Sequence, residues 1–494
     1  MNNVKTSWRC VICGYIHIGE TAPATCVICG ASSNDFEVAV EPAAPPAESH
    51  QNWRCIICGY LHEGGQPPTN CPICGVGENE FEPHRLTSST QSTTKITKVV
   101  IIGGGVAGLT AAETIRNHSD SMMVTLVSAE QQTPYYRLNL TRYLAGEIDS
   151  ASLAVHPDDW YATKRIDLRS GQKVINIDRQ AQQVFLDDQS VLDYDHLILT
   201  MGAHPFVPPI PGSNLAQVFT VRTMDDAEQI LKIIPTVESC VCIGGGILGL
   251  ETAGAIAKHG IKVQVIEGSD WLMPRQLNRQ AGQIVKEHLR KLGIEVIENG
   301  RTQAITGQEQ CDGVQLENGV FLPTQLVIIA TGVRPNTHLA RKCGLNVDKG
   351  LLVDSTMRTS DERIYAAGDI TEHHGTLYGL WNAAQYQGKI AGLNVVGERT
   401  EFGGIPRSNV LKVLGLDLFS IGQITPLDGS YSSFEKVDGD RYYSLTLRDG
   451  RIVGSIVIGD QPSAMKIKQA IEQGHLFPVA LFNHIDQFLQ QLAR

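Results

Sequence analysis

At 494 residues and 53.8 kDa the chain exceeds what one hydrophobic core organises, and its length predicts roughly three domains or more. Charged residues make up 19% of it, and no apolar run approaches the ~20 residues that cross a bilayer, which argues against a membrane-spanning protein. Lys and Arg total 41 against 52 Asp and Glu, a formal charge of -11, so no broad phosphate-binding surface and no nucleic-acid partner are expected.

The opening MNNVKTSWRC carries one Lys with no apolar stretch behind it, so no secretory signal and a cytoplasmic location are expected. Eight of the twelve Cys fall before residue 75: Cys10, Cys13, Cys26, Cys29, Cys55, Cys58, Cys71 and Cys74. In a reducing compartment such a cluster holds metal more readily than disulfides. Sliding the segment by 45 residues superimposes Trp8 on Trp53, each Cys on its counterpart, His17 on His62 and Phe36 on Phe81, so one module of about 35 residues is duplicated. A unit that small needs a staple to fold. Each copy supplies two Cys-x-x-Cys pairs, each followed by Gly, and four converging thiolates suit either zinc or a single iron. His17 and His62 read as surface or packing residues, because four thiolates already complete a tetrahedron. The strings from WRC through CPICG to Phe81-Glu82 resemble the short-spaced rubredoxin module of rubrerythrins. That resemblance implies one iron per copy, shuttling single electrons.

Residues 1–40 and 52–85 are therefore taken as the two modules. The Pro- and Ala-rich segment 41–51 and the Ser- and Thr-rich segment 86–96 are read as linkers. From residue 98, KVVIIGGGVAGLTAAETIR reads as a buried strand, a turn at Gly103, Gly105 and Gly108, and an amphipathic helix. The first Gly makes the tight turn, the second admits a pyrophosphate to the backbone amides, and the third lets helix and strand pack closely. The next strand, MMVTLVSAE, is expected to end at Glu130, where a carboxylate meets a ribose hydroxyl. The pattern recurs at Gly244, Gly246 and Gly249 with a strand ending at Glu267, so two dinucleotides are expected. Gly268, Ser269 and Asp270 offer no cation to a 2'-phosphate, which favours NADH over NADPH.

LILTMGAHPFVPPIPG around Gly202, LVIIATGVRPN around Gly332 and RIYAAGDIT around Asp369 resemble, together with the two Gly turns, the two-dinucleotide flavoprotein reductases. The likeness is to their NADH-rubredoxin reductase and ferredoxin reductase branch and covers residues 97 to about 400. It implies an α/β fold of two Rossmann-like domains, FAD on the first turn (97–221 and 346–400) and NAD(P)H on the second (222–345). It also implies an FAD contact for Asp369. TPYYRLNLTRYL is similar to the family's Pro-x-Tyr-x-Arg stretch beside the flavin and nominates Arg137, with Arg142 standing where many relatives have Lys.

No Cys lies between Cys74 and Cys240, so flavin electrons have no thiol exit near the first turn. Cys240, Cys242, Cys311 and Cys343 read as small buried side chains. Residues 401–494 read as a small α+β domain, with strands in RYYSLTLRDGRIVGSIVIGD and an amphipathic stretch at ALFNHIDQFLQQL. By resemblance such a domain covers the flavin and contributes to a homodimer. His373, His374 and Trp381 read as packing residues near the flavin.

The expected activity is hydride transfer from NADH to FAD, then single electrons through two iron centres to an external acceptor. Relatives suggest a peroxide- or oxygen-reducing metalloprotein for that acceptor. The alternative is a flavin NADH oxidase whose N-terminal modules are zinc ribbons that dock a partner.

Overall fold

The computed structural model describes residues 97–405, 408–411, 414–477 and Phe488. Of the N-terminal region it describes 6–10, 16–19, 21–23, 33, 36–38, 52–55, 61–63, 66–69, 77–78, 81–83. Both expected linkers and most of ALFNHIDQFLQQL lie outside these residues.

The sequence repeat is a structural repeat. In the first copy Thr6–Cys10 pairs antiparallel with Ile16–Gly19 on one side and Phe36–Val38 on the other. In the second, Asn52–Cys55 pairs likewise with Leu61–Glu63 and Phe81–Pro83. The register carries over by the same offset: Trp8 opposite His17 and Cys10 opposite Phe36, Trp53 opposite His62 and Cys55 opposite Phe81.

Lys98–Ile102 is the middle strand of a five-stranded parallel sheet, ordered Ile364–Ala366, His196–Leu199, Lys98–Ile102, Met123–Val127, Ile166–Arg169. Val99, Val100, Ile101 and Ile102 are all buried, the continuous apolar run that a parallel strand covered on both faces requires. A second parallel sheet repeats the plan, ordered Val218–Phe219, Leu326–Ile329, Ser239–Ile243, Lys262–Ile266, Ile294–Ile297. Each has an antiparallel three-stranded companion, Val174–Asp178 to Val191–Asp193 in the first unit and Thr302–Gly307 to Phe321–Pro323 in the second.

The chain leaves the first unit along Ala203–Pro205 and returns along Val333–Pro335, and these two strands pair antiparallel. Back in the first unit, helix Trp381–Val395 packs on Val106–His118. Glycine permits the contact: a Cβ on Gly388 would stand 2.3 Å from the Ala107 carbonyl oxygen.

The C-terminal region is a five-stranded antiparallel sheet, ordered Ser408–Leu411, Leu418–Gly422, Arg451–Ile458, Arg441–Arg448, Tyr431–Asp438. Helix Gln461–Glu472 lies on it, burying Ala464, Ile467 and Ala470 against Phe419, Ile421, Tyr443 and Leu445. The expected strands are present. The helix was not read from the sequence, although its start is signalled by Asp460, which accepts from the Ser463 amide at 3.1 Å, and by Pro462 in the first turn. Among the described residues no helix is long and apolar enough to cross a membrane.

Candidate active site

Both glycine turns have the geometry their sequences predict. Gly103 and Gly244 adopt φ of +118° and +117°. A Cβ on Gly103 would stand 2.3 Å from the Thr200 carbonyl oxygen, and one on Gly244 would stand 2.5 Å from that of Ala330. Gly108 and Gly249 lie so close to the carbonyls of Gly103 and Gly244 that a Cβ would fall about 2 Å from each (2.1 and 2.0 Å). Gly105 and Gly246 differ in kind, since a Cβ there would meet nothing within 4 Å. The middle glycine of each turn thus faces open space.

That space lies at the start of a helix whose first amides lack a side-chain cap. Val106–His118 and Ile247–Ala257 begin at Gly105 and Gly246, with no side-chain cap hydrogen bond. Trp381–Val395 begins uncapped at Leu380. By contrast Met224–Ile233, Arg279–Lys291 and Gln461–Glu472 are capped by Thr223, Asn278 and Asp460. Uncapped N-terminal amides with a glycine approach make a phosphate cradle. Glu267 stands at the mouth of the second: Oε2 accepts from the Gly245 amide at 3.0 Å and Oε1 from Ser269 at 2.7 Å.

Around the first turn the charged groups form one chain. Glu130 Oε2 accepts from the Tyr135 hydroxyl at 2.6 Å, and Oε1 pairs with Arg137 Nη2 at 2.5 Å. Arg137 also donates to the Arg222 carbonyl, and Arg222 Nη2 pairs with Asp369 Oδ2 at 2.8 Å. Burial works against the Arg137 charge, but Tyr135 and Glu130, with Asp369 behind them, outweigh it and hold its pKa above the ordinary value. Gly202 joins this group at φ +63°, a Cβ there lying 3.6 Å from Arg222 Nη2. Gly332, at φ +108°, is stitched to the Gly202 loop through Asn336, whose amide donates to the Gly202 carbonyl at 2.9 Å and whose Nδ2 donates to Met201 at 2.7 Å.

Three contributors escaped sequence reasoning. Arg222 reaches Asp369 across 147 residues. Thr200 Oγ1 lies 2.9 Å from the carbonyls of Ile102 and Gly103, fixing the first turn from the neighbouring strand. Gln387 Oε1 accepts from the Gly368 amide at 2.9 Å and from Thr371 at 3.0 Å, holding the Gly-Asp turn, while its buried Nε2 has no partner among the described residues. The residues fit a dinucleotide: an open glycine cradle, bare helix amides, and a buried donor on Gln387, whose Oε1 holds the Gly-Asp turn.

Arg142 binds Glu147 at 3.1 Å. Trp381 meets Tyr136 with ring centroids 6.1 Å apart. His373 is buried against Phe402 and shares Ser355 with His374; burial first, and His374 second, bring its pKa down to about 4. Cys240 and Cys242 lie side by side with sulfurs 3.9 Å apart, fully buried, and burial drives the Cys240 thiol well above its usual range. Of the thiolate quartets, Cys10 and Cys55 close their strands, while Cys13, Cys26, Cys29, Cys58, Cys71 and Cys74 lie outside the described residues.

The family model described as pyridine nucleotide-disulphide oxidoreductase matches residues 97–388. The chain belongs to that family. Its C-terminal region matches the rubredoxin NAD+ reductase C-terminal domain over 408–475, and residues 8–37 and 53–82 each match the rubrerythrin, rubredoxin-like domain. The chain is 32% identical to a nitrite reductase [NAD(P)H] of Bacillus subtilis over 76% of its length, but spans only 47% of that relative. It is likewise 31% identical to the assimilatory nitrate reductase electron transfer subunit of the same organism, spanning 49% of it, so the chain covers about half the length of both. The NADH-rubredoxin oxidoreductase of Clostridium acetobutylicum is 31% identical over 78% of this chain and 96% of its own. A solved structure of NADH:rubredoxin oxidoreductase from that organism aligns with a TM-score of 0.68 at 30% identity, covering 80% of this chain and all of the other. Against this family background the missing Cys between Cys74 and Cys240 stands out, because the family is named for a disulphide this chain does not carry there.

Proposed function

We propose that the chain is an NADH-dependent flavoprotein that passes electrons to its own rubredoxin-like modules and from them to an external acceptor protein. The observation that carries this reading is the pairing of a reductase core lacking cysteine near its first glycine turn with two four-cysteine modules on the same chain. When bound, FAD would take a hydride from the reduced nicotinamide and return electrons one at a time, chemistry that belongs to the cofactor.

The chain's part is binding and alignment. Gly103, Gly105 and Gly108 would admit the FAD pyrophosphate to the amides of Val106–His118, and Glu130 would meet the adenosine ribose. Arg137, Arg222, Gly202 and Asp369 would line the rest of the cofactor. Gly244, Gly246, Gly249 and Glu267 would hold NADH in the same manner, with Gly332 lining its path. Glu267 with no cation behind it favours the free 2'-hydroxyl of NADH over NADPH. Arg142, bound to Glu147, would sit at the margin of the flavin site.

In each module four thiolates, Cys10, Cys13, Cys26 and Cys29, then Cys55, Cys58, Cys71 and Cys74, would hold one iron, which would carry one electron at a time. The final acceptor is a peroxide- or oxygen-reducing metalloprotein, and the C-terminal domain supports a homodimer. Metal analysis with a visible spectrum tests the reading: iron with ferric-thiolate colour is expected, whereas zinc and a colourless protein after flavin removal would refute it.

A further inference from the structure

The two nucleotide-binding units are joined by a ribbon of two short strands, and three paired residues do not by themselves fix the angle between units of this size. A second attachment comes from residues 130–144 of the first unit, the segment that begins with Glu130 of the first cradle. Tyr135 and Leu140 are buried together with Met224 and Ala227 of Met224–Ile233, the helix that follows the edge strand Val218–Phe219 of the second sheet. Leu144 reaches further and is fully buried among Leu250, Ala253 and Ile256.

At the edge of this apolar contact one atom serves both units. The Tyr135 hydroxyl donates to Glu130 Oε2 at 2.6 Å and accepts from the Met224 amide, the first of its helix, at 3.1 Å. Two further contacts run beside it from the same loop: Gln132 Nε2 donates to Asp225 Oδ1 at 2.8 Å, and Arg137 donates to the Arg222 carbonyl. The receiving segment is itself held firmly, because Thr223 and Asp226 form a capping box and Asp226 Oδ2 also accepts from the Arg222 amide at 2.8 Å. Tyr135 is 7% exposed, and burial raises its pKa, with Arg137 opposing and Glu130 adding to the rise. The phenol therefore keeps its proton through the neutral range and donates to Glu130 throughout it.

One hydroxyl thus links the acid of the first cradle to the leading amide of the other unit. We infer that Tyr135 is a positioning residue, holding the second unit at the angle that brings a dinucleotide on the Gly244 turn to a flavin on the Gly103 turn. The inference rests on reading those turns as the NADH and FAD sites. Hydride transfer is steep in geometry, since a misplacement of about 1 Å costs up to about a hundredfold in rate. Binding in either cradle depends instead on contacts inside one unit. Loosening the link therefore slows the transfer and leaves both affinities in place.

Tyr135→Phe keeps the ring beneath Arg137 and removes only the hydroxyl. In anaerobic rapid mixing of the holoenzyme with NADH, its limiting rate of flavin reduction should fall about tenfold, while NADH Kd and flavin content stay within about twofold of wild type. The long-wavelength absorbance of NAD+ stacked on reduced flavin should weaken with the rate, and the Met224 amide should exchange hydrogen faster in the unreacted holoenzyme. Gln132→Ala removes the neighbouring contact without touching Glu130, so it should slow reduction in the same way by about two- to threefold. An unchanged rate in Tyr135→Phe would overturn the inference, and so would a flavin affinity that falls as far as the rate. A normal rate in Gln132→Ala beside a slowed Tyr135→Phe would overturn it too, because the effect would then run through Glu130 alone. Should NADH fail to reduce the wild-type flavin, the reading of the two turns fails and the inference with it.

Discussion

The three glycines of the first turn are not equivalent, and the difference can be measured. Gly103→Ala drives a Cβ into the Thr200 carbonyl at a positive φ, so the variant should lose both folding stability and flavin. Gly105→Ala meets no protein atom, so the flavin-free protein should melt where the wild type does while flavin content falls at least about tenfold, the pyrophosphate having lost its approach. Equal melting losses for both would contradict the assignment. Arg222→Ala removes a charged partner of Asp369, and FAD affinity should fall by about one to two orders of magnitude, read by flavin fluorescence on dilution. Glu251, on Ile247–Ala257 and accepting from the Thr141 hydroxyl at 3.3 Å, gives a stability test. Its folded pKa is raised, so its contribution is full below the ordinary carboxylate value and lost as pH rises towards about 7. Wild-type Tm should therefore drop relative to Glu251→Gln over that window. The glycines and Asp369 were legible because backbone constraints write themselves into local spacing. Arg222, Thr200, Gln387 and the Thr141 contact were not, because each acquires its partner only when segments 16 to 147 residues apart converge.

The central strands of the two parallel sheets, KVVII and SCVCI, announced themselves as short apolar runs ahead of a glycine turn, since burial on both faces leaves no polar alternation. The C-terminal helix was the harder case. QPSAMKIKQAIE alternates Lys with apolar residues, so the pattern reading named only ALFNHIDQFLQQL, which apart from Phe488 lies outside the described residues, and passed over this helix. The capping residue was the better signal. Asp460 caps Gln461–Glu472 and also accepts the Tyr443 hydroxyl at 2.6 Å, tying helix to sheet. Burial opposes its charge, yet the Tyr443 and Ser463 hydrogen bonds outweigh it and lower its pKa, so the stabilisation holds above the ordinary Asp value and is lost as pH falls below it. Asp460→Ala should cost about 1 kcal/mol in denaturant unfolding at pH 7 and less at pH 3. Where helices Val106–His118 and Trp381–Val395 cross, Gly388→Ala should lower stability by about 1–3 kcal/mol, because the Ala107 backbone cannot retreat without moving the first glycine turn.

At the scale of the molecule the duplicated modules make arithmetic sense. One hydride carries two electrons, and if each module holds one iron as proposed, the two centres would receive both, so a single turnover would not wait for an outside acceptor. On the proposed reading, a short flexible tether would give such an acceptor an effective concentration on the order of millimolar. The decisive measurement is anaerobic rapid mixing of the purified protein with one equivalent of NADH while flavin and ferric-thiolate absorbance are followed together. The account predicts flavin bleaching, then flavin recovery as two irons per chain lose their colour. Flavin that stays reduced beside iron that stays coloured, or a chain with no such colour to lose, would contradict it.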